Sequence, residues 1–125
     1  MNKEFLIDTG YGEEKCKFIF SNYMESFVPR GGIYLGLMYF DTDMGCWGTY
    51  CDVSTNLPST SFLTIPPENA IYIRDDSSWY LGVKKVFEDT GLATLTGIKR
   101  RSGFCSYDEW IINIDKLKEI AEEMK

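Results

Sequence analysis

The sequence predicts an α+β domain, an antiparallel sheet of five or six strands with two helices, near residues 78–90 and 115–124, packed on it. Three observations carry that expectation. Apolar and polar residues alternate with period two through the strand-like segments up to Tyr72. From Trp79, and again from Asp115, the spacing changes to a period near 3.6. The chain has 125 residues, 44% hydrophobic, with 8 Phe, 8 Tyr and 3 Trp, which is enough for one core and too little for two domains.

Phe5, Leu6 and Ile7 make a first short strand. Cys16, Phe18 and Phe20 alternate with Lys15, Lys17 and Ile19, giving a half-buried strand over about 15–23. Pro29, Arg30, Gly31 and Gly32 compose a turn. Residues 33–40 are apolar on both faces, which suits a central strand. Asp41, Thr42, Asp43, Met44 and Gly45 close it tightly, and a further strand follows over 46–54. These pieces form an antiparallel meander that ends at Asn56, Leu57 and Pro58.

The second half changes character. Pro66 and Pro67 block a helix, and Ala70, Ile71, Tyr72 and Ile73 form a short strand. Asp75, Asp76, Ser77 and Ser78 offer capping oxygens ahead of Trp79, Val83, Val86 and Phe87, which share one helical face. Gly91 is the expected left-handed stop. Residues 98–107 read as extended, with 111–114 continuing them. Asp115 is placed to cap a last helix through Met124, whose apolar stripe is Leu117, Ile120, Ala121 and Met124.

Composition narrows function mainly by exclusion. No histidine is present, which removes the side chain that most often moves protons near neutral pH. A net charge of −6 opposes direct nucleic-acid binding, because neutralising phosphates needs a positive face. Residues 1–9 carry no secretion-type apolar run, and the 33–40 stretch is of strand length, so a cytoplasmic chain without membrane contact is expected. Cys16, Cys46, Cys51 and Cys105 are expected as free thiols; their spacing suits neither zinc nor a nucleophile with a histidine base. No cofactor is expected, and self-association is compatible with this composition.

The densest positive charge is Lys99, Arg100 and Arg101, followed by Ser102, Gly103 and Phe104. Arginine forks match phosphate or carboxylate oxygens, and Phe104 could stack on a base. On a strand, neighbours point to opposite faces, so one arginine is expected to face a given pocket. The competing reading is a solvated edge or turn whose charges discourage edge pairing. Asp41 and Asp43 begin like a calcium loop, but Cys46 stands where glycine is needed and Asp52 where glutamate is, so they read as a turn. The acid pairs Asp75 with Asp76, Glu88 with Asp89 and Asp108 with Glu109 read as capping or solvated groups. At least two of Trp47, Trp79 and Trp110 are expected to be structural.

Asn56-Leu57-Pro58, Pro67-Glu68-Asn69-Ala70, Glu88-Asp89-Thr90-Gly91-Leu92-Ala93, Thr96-Gly97 and Ser102-Gly103-Phe104-Cys105-Ser106-Tyr107 occur in that order. Over about residues 56–110 the chain thereby resembles a small bacterial family, a domain of unknown function carried on phages and conjugative elements. It departs from that pattern at Ile98, where Arg is expected, and at Asp108, where Pro is. The resemblance implies a setting among the accessory genes of mobile elements. It supports two expectations. One is a non-enzymatic anti-defence inhibitor, anti-CRISPR or antirestriction-like, whose acidic surface, with Asp41, Asp43, Asp75 and Asp76, meets a basic host defence protein. The other is a sponge for a nucleotide immune signal, in which Arg100 or Arg101 holds phosphate and an aromatic such as Phe104 stacks on the base. A continuous negative face favours the first, and a concave pocket lined by arginine and aromatic groups favours the second.

Overall fold

A computed structural model describes residues 3–29 and 31–124. The fold is α+β, as the change of period from two to 3.6 requires. The strands are β1 (Phe5–Asp8), β2 (Glu13–Asn22), β3 (Ile33–Asp41), β4 (Cys46–Asp52) and β5 (Ala70–Arg74). Helix α1 (Tyr80–Thr90), strands β6 (Ala93–Ser102) and β7 (Cys105–Ile112), helix α2 (Ile114–Ile120) and the short β8 (Glu122–Glu123) follow. One 3-10 turn, Ser59–Ser61, lies in the long connection between β4 and β5.

The strands divide between two sheets instead of sharing one. The first runs β1-β2-β3-β4, all antiparallel, and β8 pairs in parallel with β2 beyond the end of β1. The second is the antiparallel set β5-β7-β6. Period two identifies strands but not their partners, and the split falls at the 53–69 connection. There Ser54 is buried, and its hydroxyl joins the Leu35 N–H at 2.9 Å and the Ile33 carbonyl at 3.2 Å. Thr55 N–H then bonds the Tyr72 carbonyl at 2.9 Å, so the two sheets abut at β3 and β5.

Helix α1 packs on the inner faces, burying Val83, Val86 and Phe87 as the helical stripe predicts. Phe87 sits against Phe18 of β2 and Trp110 of β7, with ring centroids 6.0 and 5.1 Å away. Gly82 crosses β1 so closely that a β-carbon there would collide with the Asp8 carbonyl. The helix starts two residues later than expected, because Trp79 occupies the cap position without a side-chain bond to the helix. The expected capping acids are drawn elsewhere: Asp75 to Lys99, and Asp76 to Arg74. Gly91 ends the helix at φ 75°, with its N–H on the Phe87 carbonyl.

Three further expectations are corrected. Residues 98–107 are not one extended run. Gly103 takes φ 61° and, with Phe104, makes the two-residue turn of the β6–β7 hairpin, the arrangement of a type II′ turn. The last helix ends at Ile120, because the chain then extends to pair Glu122 and Glu123 with Ile19 and Phe20. Its cap is Asn113, whose side chain accepts from Lys116 N–H at 3.2 Å; Asp115 lies inside the first turn. The Asp41 turn forms as read, with the Asp41 carboxylate accepting from Asp43 and Met44 N–H groups and Gly45 at φ 67°. The turn at 29–32 includes Arg30, which lies outside the described residues. Among the described residues no helix is long and apolar enough to cross a membrane.

Candidate functional site

The second sheet has two unlike faces, and alternation along its strands creates both. Ile71, Ile73, Trp110 and Ile112 point inward to the main core, while Ala70, Tyr72, Tyr107 and Ile111 point outward under the 55–67 connection. On that outer side Phe62 packs on Tyr72 and Phe27, at 5.3 and 5.1 Å between ring centroids.

Glu109 belongs to the outer face and is 0% exposed. It therefore departs from the reading of Asp108 and Glu109 as a solvated pair. Three donors hold its carboxylate. Tyr72 Oη donates at 2.7 Å, Thr96 Oγ1 at 3.1 Å and Arg100 Nη2 at 3.2 Å. A bulge in β6 places Thr96 there. Leu95 pairs with Trp110 and Lys99 with Asp108, so residues 96–98 together span Glu109, with Gly97 at φ 86°. Burial pushes the Tyr72 hydroxyl pKa up, and the hydrogen bond to Glu109 adds to it.

Lys99, Arg100 and Arg101 part company as the strand pleat demands. Lys99 Nζ reaches Asp108 at 2.6 Å and Asp75 at 3.1 Å. Burial works to raise the Asp108 pKa, but hydrogen bonds from Lys99 and Tyr80 outweigh it and leave that carboxyl below its ordinary value. Arg100 is only 7% exposed, so the solvated-edge reading does not hold for it. Its Nη1 donates to Thr64 Oγ1 at 3.3 Å and its guanidinium lies 5.2 Å from the Phe62 ring centroid. Its Nε is buried without an acceptor. Arg101 is exposed, and no carboxylate among the described residues pairs with it.

The three residues nevertheless border one space along β6, an edge of its sheet. A cleft of about 410 Å³ lies there, lined by Thr60, Ser61 and Leu63 of the connection and by Lys99, Arg100, Arg101 and Ser106 of the hairpin. Serine and threonine residues, two arginines and a lysine thus border it, residue types that can donate to oxyanions. Phe104 stands at the hairpin tip, fully exposed, and does not line the cleft. The aromatic ring beneath Arg100 is Phe62 instead.

The other nominated residues fall elsewhere. Asp41 and Asp43 occupy the β3–β4 turn of the first sheet. Asp75 is an ion-pair partner of Lys99, and Asp76 holds Arg74 at 2.5 Å. Trp110 is buried and Trp79 packs against the core, while Trp47 lies on the open face under Lys17, whose Nζ is 4.6 Å from its ring centroid. All four cysteines are unpaired thiols, and burial pushes Cys16 up to about 11 and Cys51 up to about 12. Among the described residues no three cysteine or carboxylate groups gather as metal ligands. Glu109, Thr96, Phe62 and the 60–63 wall escaped sequence reasoning. The register Tyr107, Glu109, Ile111 against Asp108, Trp110, Ile112 was the signal that separates the two acids.

No family model, curated protein or solved structure matches the chain.

Proposed function

We propose that the protein acts by binding, without turnover, and holds a phosphate-bearing signal of bacterial immunity in the cleft beside β6 on behalf of a mobile genetic element. The observation that carries this reading is the state of the two arginines. Arg101 has no carboxylate partner among the described residues, and it borders the cleft together with Arg100, which Glu109 holds in place. Arg100 is already held by Glu109 and Thr64, which lowers the ordering that binding requires on that side of the cleft. The setting comes from the resemblance over residues 56–110. With no histidine in the chain, and Glu109 engaged by three donors, the cleft is better suited to holding than to proton transfer.

Inhibition of a host defence protein is the competing reading, and one observation favours it. Leu63, Ile65 and Phe104 are large apolar side chains left in solvent on the connection and the hairpin tip. Such groups can anchor a protein partner. Against it, Asp75 and Asp76 are engaged in ion pairs within the chain, and Asp41 accepts from its own turn.

Two arms separate the readings. Protein purified from phage-challenged bacteria is denatured, and the released small molecules are identified by mass spectrometry. In parallel, phage survival is measured with Arg101→Ala and with the double reversal Asp41→Lys/Asp43→Lys. A released nucleotide, with protection lost only in Arg101→Ala, supports the cleft. A co-purifying defence protein, with protection lost only in the double reversal, overturns it in favour of the inhibitor.

A further inference from the structure

Charge around the cleft narrows what phosphate chemistry it suits, and the narrowing rests on the reading of that cleft as a phosphate site. Lys99 faces two carboxylates, Asp75 and Asp108, and Arg100 faces one, Glu109. Lys99 and Arg100 are therefore compensated, and of the three cations bordering the cleft only Arg101 has no carboxylate partner among the described residues. Arg101 is exposed, and the Lys99 cluster, one cation against two carboxylates, carries one negative charge in excess.

We infer that the group held at Arg101 is a singly charged phosphodiester, as in a cyclic or oligomeric nucleotide, and not a terminal phosphate monoester. A diester presents two free oxygens and one negative charge, which one planar guanidinium fork can meet in full. A monoester carries about −1.5 to −2 near neutral pH and three terminal oxygens. Its second charge would find no further uncompensated cation among the residues that border the cleft. The remaining wall agrees. Thr60, Ser61 and Ser106 can donate to neutral ester or sugar oxygens, and Leu63 offers an apolar surface beside them. Both ester oxygens of a diester carry sugar carbon, so it presents sugar on either side of the phosphate, and in an oligomeric nucleotide a second base as well.

Calorimetric titration at fixed ionic strength and pH 7.5 tests this with four adenine probes that differ in charge at phosphorus. They are adenosine 3′,5′-cyclic monophosphate, 3′,5′-linked diadenosine monophosphate, adenosine 5′-monophosphate and adenosine. The tighter of the two diesters is expected to bind at least about tenfold more tightly than the 5′-monophosphate, with adenosine weaker than both; tenfold corresponds to about 1.4 kcal/mol. Arg101→Ala should reduce diester affinity about tenfold or more, and Arg101→Lys should recover part of it by charge without the fork. Arg101 is exposed, so these variants are expected to fold, and unchanged circular dichroism checks that. Equal or tighter binding of the 5′-monophosphate, lost in Arg101→Ala, overturns the diester inference and leaves the phosphate cleft standing. Binding of no probe, or binding that Arg101→Ala leaves intact, overturns both.

Discussion

The two faces of the β5-β7-β6 sheet solve burial in opposite ways. The inner face is mainly apolar: Trp110, Ile71 and Ile73 lie in one core with Phe87 and Val83 of α1, and at its edge Trp110 Nε1 donates to Tyr80 Oη, which donates to Asp108. The outer face encloses a charge pair, Arg100 with Glu109, beneath a connection punctuated by Pro58, Pro66 and Pro67. Burying ions is costly, and a pair that merely filled space would often do no better than leucine or methionine there. Keeping Arg100 charged and in place at a cleft wall is a use that an apolar replacement could not serve. The comparison thus separates a face that holds the fold from one that presents chemistry.

Phe87→Ala should be the most damaging change on the inner face, costing about 3–5 kcal/mol in urea unfolding, because the ring is fully enclosed. A loss below about 1 kcal/mol would mean that α1 is only loosely applied. On the outer face, Glu109→Leu leaves Arg100 buried and unpaired, with an expected cost of about 3–5 kcal/mol. Adding Arg100→Met to it should recover most of that loss while abolishing ligand binding. If instead the double variant is as unstable as Glu109→Leu alone, the outer face depends on its ions for stability, and the contrast between the faces fails.

Smaller effects sharpen the same contrast. Gly82→Ala forces a methyl onto the Asp8 carbonyl and should destabilise by about 1–3 kcal/mol, despite the better helix propensity of alanine. The smallest effect concerns pH. Asp108 has a folded pKa below its unfolded value, so its contribution is present above the ordinary carboxylate pKa of about 3.9 and is lost as pH falls through the folded value. Lys99 has a raised pKa from its bonds to Asp108 and Asp75, so its contribution is present below about 10.4 and is lost as pH rises through the folded value. Lys99→Met should flatten both limbs slightly in melting curves, since Lys99 is more than half exposed and screened. No change in either limb would remove the Lys99 cluster from the charge balance of the cleft.

Much of the main core was legible in the sequence, and little of the outer face. Val83, Val86 and Phe87 repeat at helical spacing, and 33–40 is apolar on both sides, so local pattern alone assigns them. Gly91 marks its own left-handed conformation. The division into two sheets was hidden because pairing depends on residues such as Ser54 and Thr55 meeting partners far along the chain. The helix cap was misjudged because Asp75 and Asp76 have cations within reach only after β5 and β6 come together. Arg100 and Glu109 read as surface groups because composition treats charge as exposed. Strand register against Tyr72 and the bulge at 96–98 put them inside.

The central claim is that the cleft between residues 60–63 and the β6–β7 hairpin is the binding surface. Amide chemical-shift mapping of nitrogen-15-labelled protein, titrated with a mixture of cyclic and 5′-monophosphate nucleotides, tests it directly. The expected result is a cluster of shifts at Ser61, Leu63, Arg100, Arg101 and Ser106 that disappears in Arg101→Ala. Shifts centred on residues 41–45 of the first sheet, or none at any nucleotide concentration, would contradict it.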